Sequence, residues 1–225
     1  MVKLVIFDCD GVIIDSEPLR FQTYKQLFKS EYEVDLPEND TNYLGKSQRD
    51  NIKYFLDMFT LKGDIEDLYN KRRVLLIEVI SKLDKSIIMG GLIQLINLFN
   101  KNNIMVVVAS SSSKYYLENV FRRLEIIDLF DNIFSAEEVE KGKPSPDLFL
   151  MAAEKLGINP KDCLVIEDAV SGIKAGKSAN MKVIALTSSL PKERLVEADL
   201  IVDDLNKINL KKINKLYLTR SVHVS

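Results

Sequence analysis

Four places in this 225-residue chain carry side chains able to do chemistry together. Asp8 and Asp10 follow the apolar run Leu4-Val5-Ile6-Phe7, Ser110 and Ser111 follow residues 104–109, Lys143 precedes Pro144, and Glu167 and Asp168 follow residues 163–166. Two carboxylates at the end of an apolar strand repel one another and lose hydration unless a cation neutralises them. A divalent metal supplies that charge. With Glu167 and Asp168 added, up to four carboxylates offer only hard oxygen ligands, which suit Mg²⁺ and do not suit zinc or copper. Magnesium shares its shell readily with phosphate, and three further groups fit a phosphate: the Ser110 hydroxyl, backbone N–H groups near Ser111 at a helix start, and the point charge of Lys143. Each group alone has a plainer explanation as solvated loop acids, a serine-rich cap or a surface lysine. At successive strand ends the plainer explanations lose force.

Other chemistries are excluded by what the chain lacks. Its single histidine, His223, stands among the last residues, where chain ends are commonly mobile, so histidine triads and most zinc sites drop out. Cys9 and Cys163 each neighbour a carboxylate in an apolar run and have no disulfide or zinc spacing, which fits a reducing compartment. The 31 basic and 33 acidic residues are interspersed, so no face for nucleic acid stands out. The apolar stretch 2–7 is broken by Lys3 and stops short of the roughly 7–15 residues of a signal core, and no run approaches the roughly 20 of a membrane span. A soluble, cytoplasmic, monomeric protein acting on a small molecule is expected, with neither nucleic acid nor membrane as partner.

The elements that must position these groups are short, β-branched runs at 4–7, 104–109, 163–166, 183–186 and 200–202, which read as buried strands. Helical-period segments at 91–100, 115–124, 147–156 and 169–179 alternate with them, and the alternation predicts an α/β fold: a doubly wound, Rossmann-like parallel sheet with helices on both faces. Ligands of such sheets bind beyond the carboxyl ends of the strands, where the four groups stand. The spacing breaks once, after the first strand, where about eighty residues show only amphipathic helical stretches at 18–29, 47–59 and 65–83. An inserted helical cap domain is expected over 15–86, with the core formed by 1–14 and 87–225 and joints at 14–17 and 86–91, the latter carrying Gly90-Gly91. The tail 207–225 is polar and weakly patterned.

The ordered set Asp8-Cys9-Asp10-Gly11-Val12, then Ser110, then Lys143-Pro144-Ser145-Pro146-Asp147, then Ile166-Glu167-Asp168 with Gly172-Ile173 and Ala175-Gly176, resembles the four motifs of the haloacid dehalogenase superfamily across nearly the whole chain. Asp15-Ser16-Glu17-Pro18-Leu19 and the helical insertion look like the subgroup with a small α-helical cap, the β-phosphoglucomutase-like and sugar-phosphate phosphatase group. The resemblance implies that Asp8 attacks phosphorus and becomes an aspartyl phosphate, and that Asp10 protonates the leaving oxygen and then activates water. It also implies that Mg²⁺ sits on the Asp8 side chain, the Asp10 carbonyl and Asp168, with Glu167 a ligand or its immediate support. Lys143 and Ser110 would stabilise charge on the transferring oxygens. True dehalogenases use the same nucleophile without metal and lack the second aspartate; Asp10 is present here, so phosphoryl transfer is the better reading.

The mutases of the subgroup carry a cap histidine where this chain has Arg20, which favours a phosphatase of a sugar or polyol phosphate over a β-phosphoglucomutase-type transfer. A non-catalytic binding protein that senses a phosphorylated metabolite is the alternative of another class. Substrate choice is expected from the cap, with the loop 43–49 facing the site and Lys46 and Arg49 as candidate substrate contacts. Either residue alone, like the cluster Lys71-Arg72-Arg73, reads more simply as solvated charge.

Overall fold

The computed structural model describes residues 1–225 except 39, 41, 42, 44–47 and 219–225, so Lys46 and His223 lie outside the described residues. The strands are β1 (Leu4–Phe7), β2 (Met105–Ser110), β3 (Asn132–Ser135), β4 (Cys163–Glu167), β5 (Lys182–Leu186) and β6 (Leu200–Val202). The helices are α1 (Glu17–Tyr32), α2 (Gln48–Met58), α3 (Ile65–Ser81), α4 (Leu92–Lys101), α5 (Lys114–Arg123), α6 (Asp147–Lys155), α7 (Val170–Ser178) and α8 (Leu210–Leu218). The strands form one sheet in the order β3-β2-β1-β4-β5-β6, each pair parallel, which is the doubly wound Rossmann-like arrangement.

A parallel sheet covered on both faces needs strands that are apolar at every position, and β1 and β4 are buried throughout. The two strands run in register from Leu4 opposite Cys163 to Phe7 opposite Ile166. Alternation sends Leu4, Ile6, Cys163 and Val165 into one core with Leu148 and Phe149 of α6 and Ile173 and Ala175 of α7. Phe7 points the other way and meets Phe99 of α4 and Phe130 edge-on, at 6.2 and 6.5 Å between ring centres.

Two elements depart from the sequence expectation. β3 is a strand, although Asn132-Ile133-Phe134-Ser135 carries only two apolar residues between polar ends; it sits at the sheet edge and pairs with β2 alone. The weakly patterned tail contains α8, which buries one residue fully, Ile213, and is fastened by the Tyr217 hydroxyl donating to the Cys163 carbonyl at 2.7 Å.

The chain divides into two compact units, Met1–Asp15 with Lys85–Ser225, and Ser16–Asp84. The second has its own core, in which Tyr24, Phe28, Tyr43 and Phe55 pack with Ile52, Leu56 and Leu68. Its helix α3 is started by Asp64, whose side chain accepts the Asp67 N–H at 2.9 Å. Among the described residues no helix is long and apolar enough to cross a membrane.

At the far side of the sheet Asp199 accepts from Lys177 at 2.7 Å, Lys182 at 2.9 Å and the Val183 N–H at 2.9 Å, tying α7 and β5 to the chain entering β6. Burial alone would raise its carboxyl, but these three donors outweigh it and hold the group below its ordinary 3.8. A carboxyl lowered in the folded state contributes stability above the unfolded value and loses it as pH falls through the folded one. Asp199→Asn is expected to cost about 1–3 kcal/mol at neutral pH. In urea unfolding the gap between variant and parent should close as pH is taken below 3.8.

Candidate active site

The site begins where β1 ends. The Asp8 N–H donates to the Ile166 carbonyl at 2.9 Å, extending the ladder with β4 by one residue, and the chain then curls back: the Cys9 carbonyl accepts from Ile13 at 2.8 Å and the Gly11 N–H donates to Ile14 at 2.8 Å. Gly11 takes φ +78°, a conformation that costs a side-chain-bearing residue, and a Cβ there would overlap the Asp168 carboxylate. Chain order makes the β1–β4 pair the switch point of the sheet, because β2 and β3 were added on one side before β4 returned to the other. Asp8, Asp10, Glu167 and Asp168 all stand at this crevice.

Lys143 enters the same place from the segment between β3 and α6. Its ammonium donates to Asp8 Oδ1 at 2.5 Å, to Glu167 Oε1 at 2.8 Å and to the Ala109 carbonyl at 3.1 Å, and lies 4.9 Å from the centre of the Phe149 ring. The side chain is only 3% exposed. Strand alternation explains the meeting: Asp8 continues the phase of Leu4 and Ile6, and Glu167 that of Cys163 and Val165, so both face the α6 side. Glu167 Oε2 accepts the N–H groups of Asp168 at 2.8 Å and Ala169 at 2.7 Å, at the entrance to α7.

These contacts set the charges. Burial pushes the Asp8 carboxyl up to about 7, with Lys143 opposing the rise and Glu167 and Asp10 adding to it. Asp168, also buried, is raised well above the carboxylate range by burial and by the charges of Glu167, Asp8 and Asp10, against a lowering hydrogen bond from Ser189. Burial would strip the Lys143 proton, but the charges of Asp8 and Glu167 more than offset it and keep the ammonium. Four carboxylates thus meet one ammonium, and the surplus negative charge with all-oxygen donors fits a divalent hard cation. Among the described residues no three His, Cys, Asp or Glu side chains converge as a complete metal cage. Magnesium does not require one, since it takes one or two carboxylates and fills its shell with water and phosphate. Both oxygens of Glu167 already hold protein donors, Lys143 on one and the N–H groups of Asp168 and Ala169 on the other, an arrangement that fits a support better than a free ligand.

The serine run divides by position. Ser110 is buried and its oxygen accepts the Ser112 N–H at 3.1 Å, Ser111 is exposed, and Ser113 caps α5 through the Tyr116 N–H at 3.3 Å. The helix therefore starts at Lys114, three residues beyond Ser111, and the N–H of Ser112 is already taken. Ser112 is the member that sequence reasoning missed: it is buried, and its hydroxyl donates to Asp10 Oδ2 at 2.9 Å. Ser189 was missed too, and donates to Asp168 Oδ2. The run of four serines held a signal for the first, while the pair Ser188-Ser189 held a weaker one in its place after an apolar strand.

In the helical unit, Arg49 is committed to a two-pronged pair with Glu66, at 2.5 and 2.9 Å, over the ring of Tyr69. Lys71 pairs with Glu31 at 2.5 Å and Asp67 at 3.1 Å. The solvated reading of the basic cluster fails for Arg72, which is 1% exposed, lies 3.9 Å over Tyr24 and donates to Gln48 Oε1 at 2.8 Å and the Arg20 carbonyl at 3.4 Å.

Fold and cluster define an α/β enzyme with its acids at the switch point of a Rossmann-like sheet. The chain belongs to the haloacid dehalogenase-like hydrolases, whose family model matches residues 2–180. It is 33% identical over 223 residues to the β-phosphoglucomutase of Bacillus subtilis (strain 168), covering 95% of each chain. It is 27% identical over 183 residues to the phosphorylated carbohydrates phosphatase of Thermotoga maritima, covering 81% of this chain and 84% of that one. The crystal structure of β-phosphoglucomutase from Clostridium difficile superposes with a TM-score of 0.81 at 29% identity, over 97% of this chain and 98% of that one.

Gly172 lies in α7 against the Glu167 carboxylate, and a Cβ there would overlap it. Gly172→Ala must push away the group that holds Lys143. It is expected to lower stability by about 1–3 kcal/mol, the usual cost of overpacking, read as a lower urea midpoint, and to lower turnover at the same time.

Proposed function

We propose that the chain is a Mg²⁺-dependent phosphatase of a small phosphorylated metabolite, a sugar or polyol phosphate, acting through an aspartyl phosphate on Asp8. The observation that carries the reading is the buried Lys143 ammonium bound to Asp8 Oδ1, which fixes a carboxylate at the switch point of the sheet. Asp8 attacks phosphorus, forming the acyl phosphate as the bond to the substrate alcohol breaks. Asp10, oriented by the Ser112 hydroxyl, gives that alcohol its proton and then takes one from the water that cleaves the acyl phosphate. Lys143 and Ser110 bind phosphoryl oxygens. Asp8, Asp168 and the Asp10 carbonyl would hold the metal, which would supply positive charge to those oxygens. Catalysis is assigned to residues 1–14 with 87–225 and substrate selection to 15–86.

The likeness to the Bacillus subtilis relative favours a second reading, phosphoryl transfer between positions of a sugar. Arg20 stands where the mutases of this subgroup place a histidine, and weighs toward hydrolysis.

A panel of sugar and polyol monophosphates, assayed for phosphate release, separates these readings. Release should require Mg²⁺ and stop with EDTA; Asp8→Asn should abolish it, and Asp10→Asn should lower kcat by about 10²–10⁴-fold. Metal-independent release, or release by Asp8→Asn, would sink the mechanism. Conversion of a hexose 1-phosphate to the 6-phosphate faster than phosphate release assigns the mutase activity instead.

A further inference from the structure

Beyond β5 the chain runs Thr187-Ser188-Ser189, and none of the three belongs to the motifs already described. The Thr187 N–H donates to the Val202 carbonyl at 2.9 Å, so the run starts from a pinned strand end. Leu190 and Leu195, just beyond, pack into the core under the sheet and fasten the segment from its other side. Between these anchors the Ser188 hydroxyl donates to the Gly11 carbonyl at 2.5 Å, and the Ser189 hydroxyl donates to Asp168 Oδ2. A Cβ built on Gly11 would lie 2.7 Å from Ser189 Oγ and would overlap the Asp168 carboxylate, so the ends of β1, β4 and β5 converge on one spot. Among the described residues Ser189 is the one donor to the Asp168 carboxylate.

We propose that Ser189 is a positioning residue for the metal: it fixes the rotamer of Asp168 by holding Oδ2, so that Oδ1 is the oxygen presented to the cation, while Ser188 locks the β1 turn against the same loop. The inference rests on the reading of Asp168 as a ligand. Its physical basis is that a ligating carboxylate keeps its direction only when its other oxygen is held, and that loss of such an outer partner typically costs about 10–100-fold in metal affinity. Asp168 is 4% exposed, so solvent offers no substitute donor of comparable geometry.

The test is calorimetric titration of the whole enzyme with MgCl₂ alone, in the absence of substrate, together with thermal unfolding in EDTA. Ser189→Ala should weaken Mg²⁺ binding by about 10-fold or more, and both that loss and any fall in the unfolding temperature in EDTA should be repaired by Ser189→Thr, which keeps the hydroxyl. Mg²⁺ binding by Ser189→Ala equal to the parent's, while Asp168→Asn loses it, overturns the inference and leaves the metal reading intact. Equal Mg²⁺ binding by the parent and by Asp168→Asn removes Asp168 as a ligand and the inference with it. A fall in the EDTA unfolding temperature that Ser189→Thr does not repair shows a merely structural serine and overturns it as well.

Discussion

A lysine ammonium buried among three oxygen acceptors holds the catalytic end of this sheet together. Taking an ammonium out of water costs several kcal/mol, and the cost is offset only by well-placed negative partners. Lys143 finds Asp8 just beyond β1, the Ala109 carbonyl on β2 and Glu167 at the end of β4. These three strands are neighbours only because the sheet order is β2-β1-β4 at its centre. Topology and charge therefore depend on each other: the adjacency of β2, β1 and β4 brings those oxygens within reach of one cation, and without the cation the carboxylates would face one another across a dry crevice.

Several smaller features follow from that constraint. Glu167 must turn toward Lys143 while its second oxygen takes the first free N–H groups at the entrance to α7, so α7 has to pass close by, and only glycine at 172 leaves the room. Asp168, one residue further along, falls out of the strand's alternation and is taken up by Ser189 instead. Two adjacent acids thus acquire different partners through the two-residue period of the strand they terminate. Gly11 plays the matching part on β1, where the turn must pass under the Asp168 carboxylate with φ positive.

The parts of this arrangement that were legible in the sequence are those written as long apolar runs followed by charge. Val5-Ile6-Phe7 before Asp8, and Leu164-Val165-Ile166 before Glu167, announce buried parallel strands and the polar groups at their ends. β3 was illegible because an edge strand paired on one side needs little apolar length, and α8 was passed over because it is short and buries only Ile213 outright, although Leu210, Ile213 and Tyr217 recur at helical spacing. Hydroxyl roles were hardest to read. Ser110, Ser111, Ser112 and Ser113 are chemically identical, and which one reaches Asp10, which caps α5 and which stays in solvent depends on backbone direction over single residues. The same limit hid Ser189, whose partner Asp168 lies just beyond the end of another strand.

Arg72 extends the argument to the helical unit. A string of three basic residues on a helix reads as solvated charge, yet a helix places consecutive residues about 100° apart, so one of the three can face inward while its neighbours stay outside. Lys71 and Arg73 are exposed, whereas Arg72 lies over Tyr24 and is hydrogen-bonded to Gln48 and to the Arg20 carbonyl, joining α1, α2 and α3 at one point. Both units therefore contain one buried cation that bridges several elements. In the α/β unit the bridge is made to two carboxylates, Asp8 and Glu167. In the helical unit the contacts described for Arg72 are a ring face, an amide and a carbonyl, and they join three helices at one point.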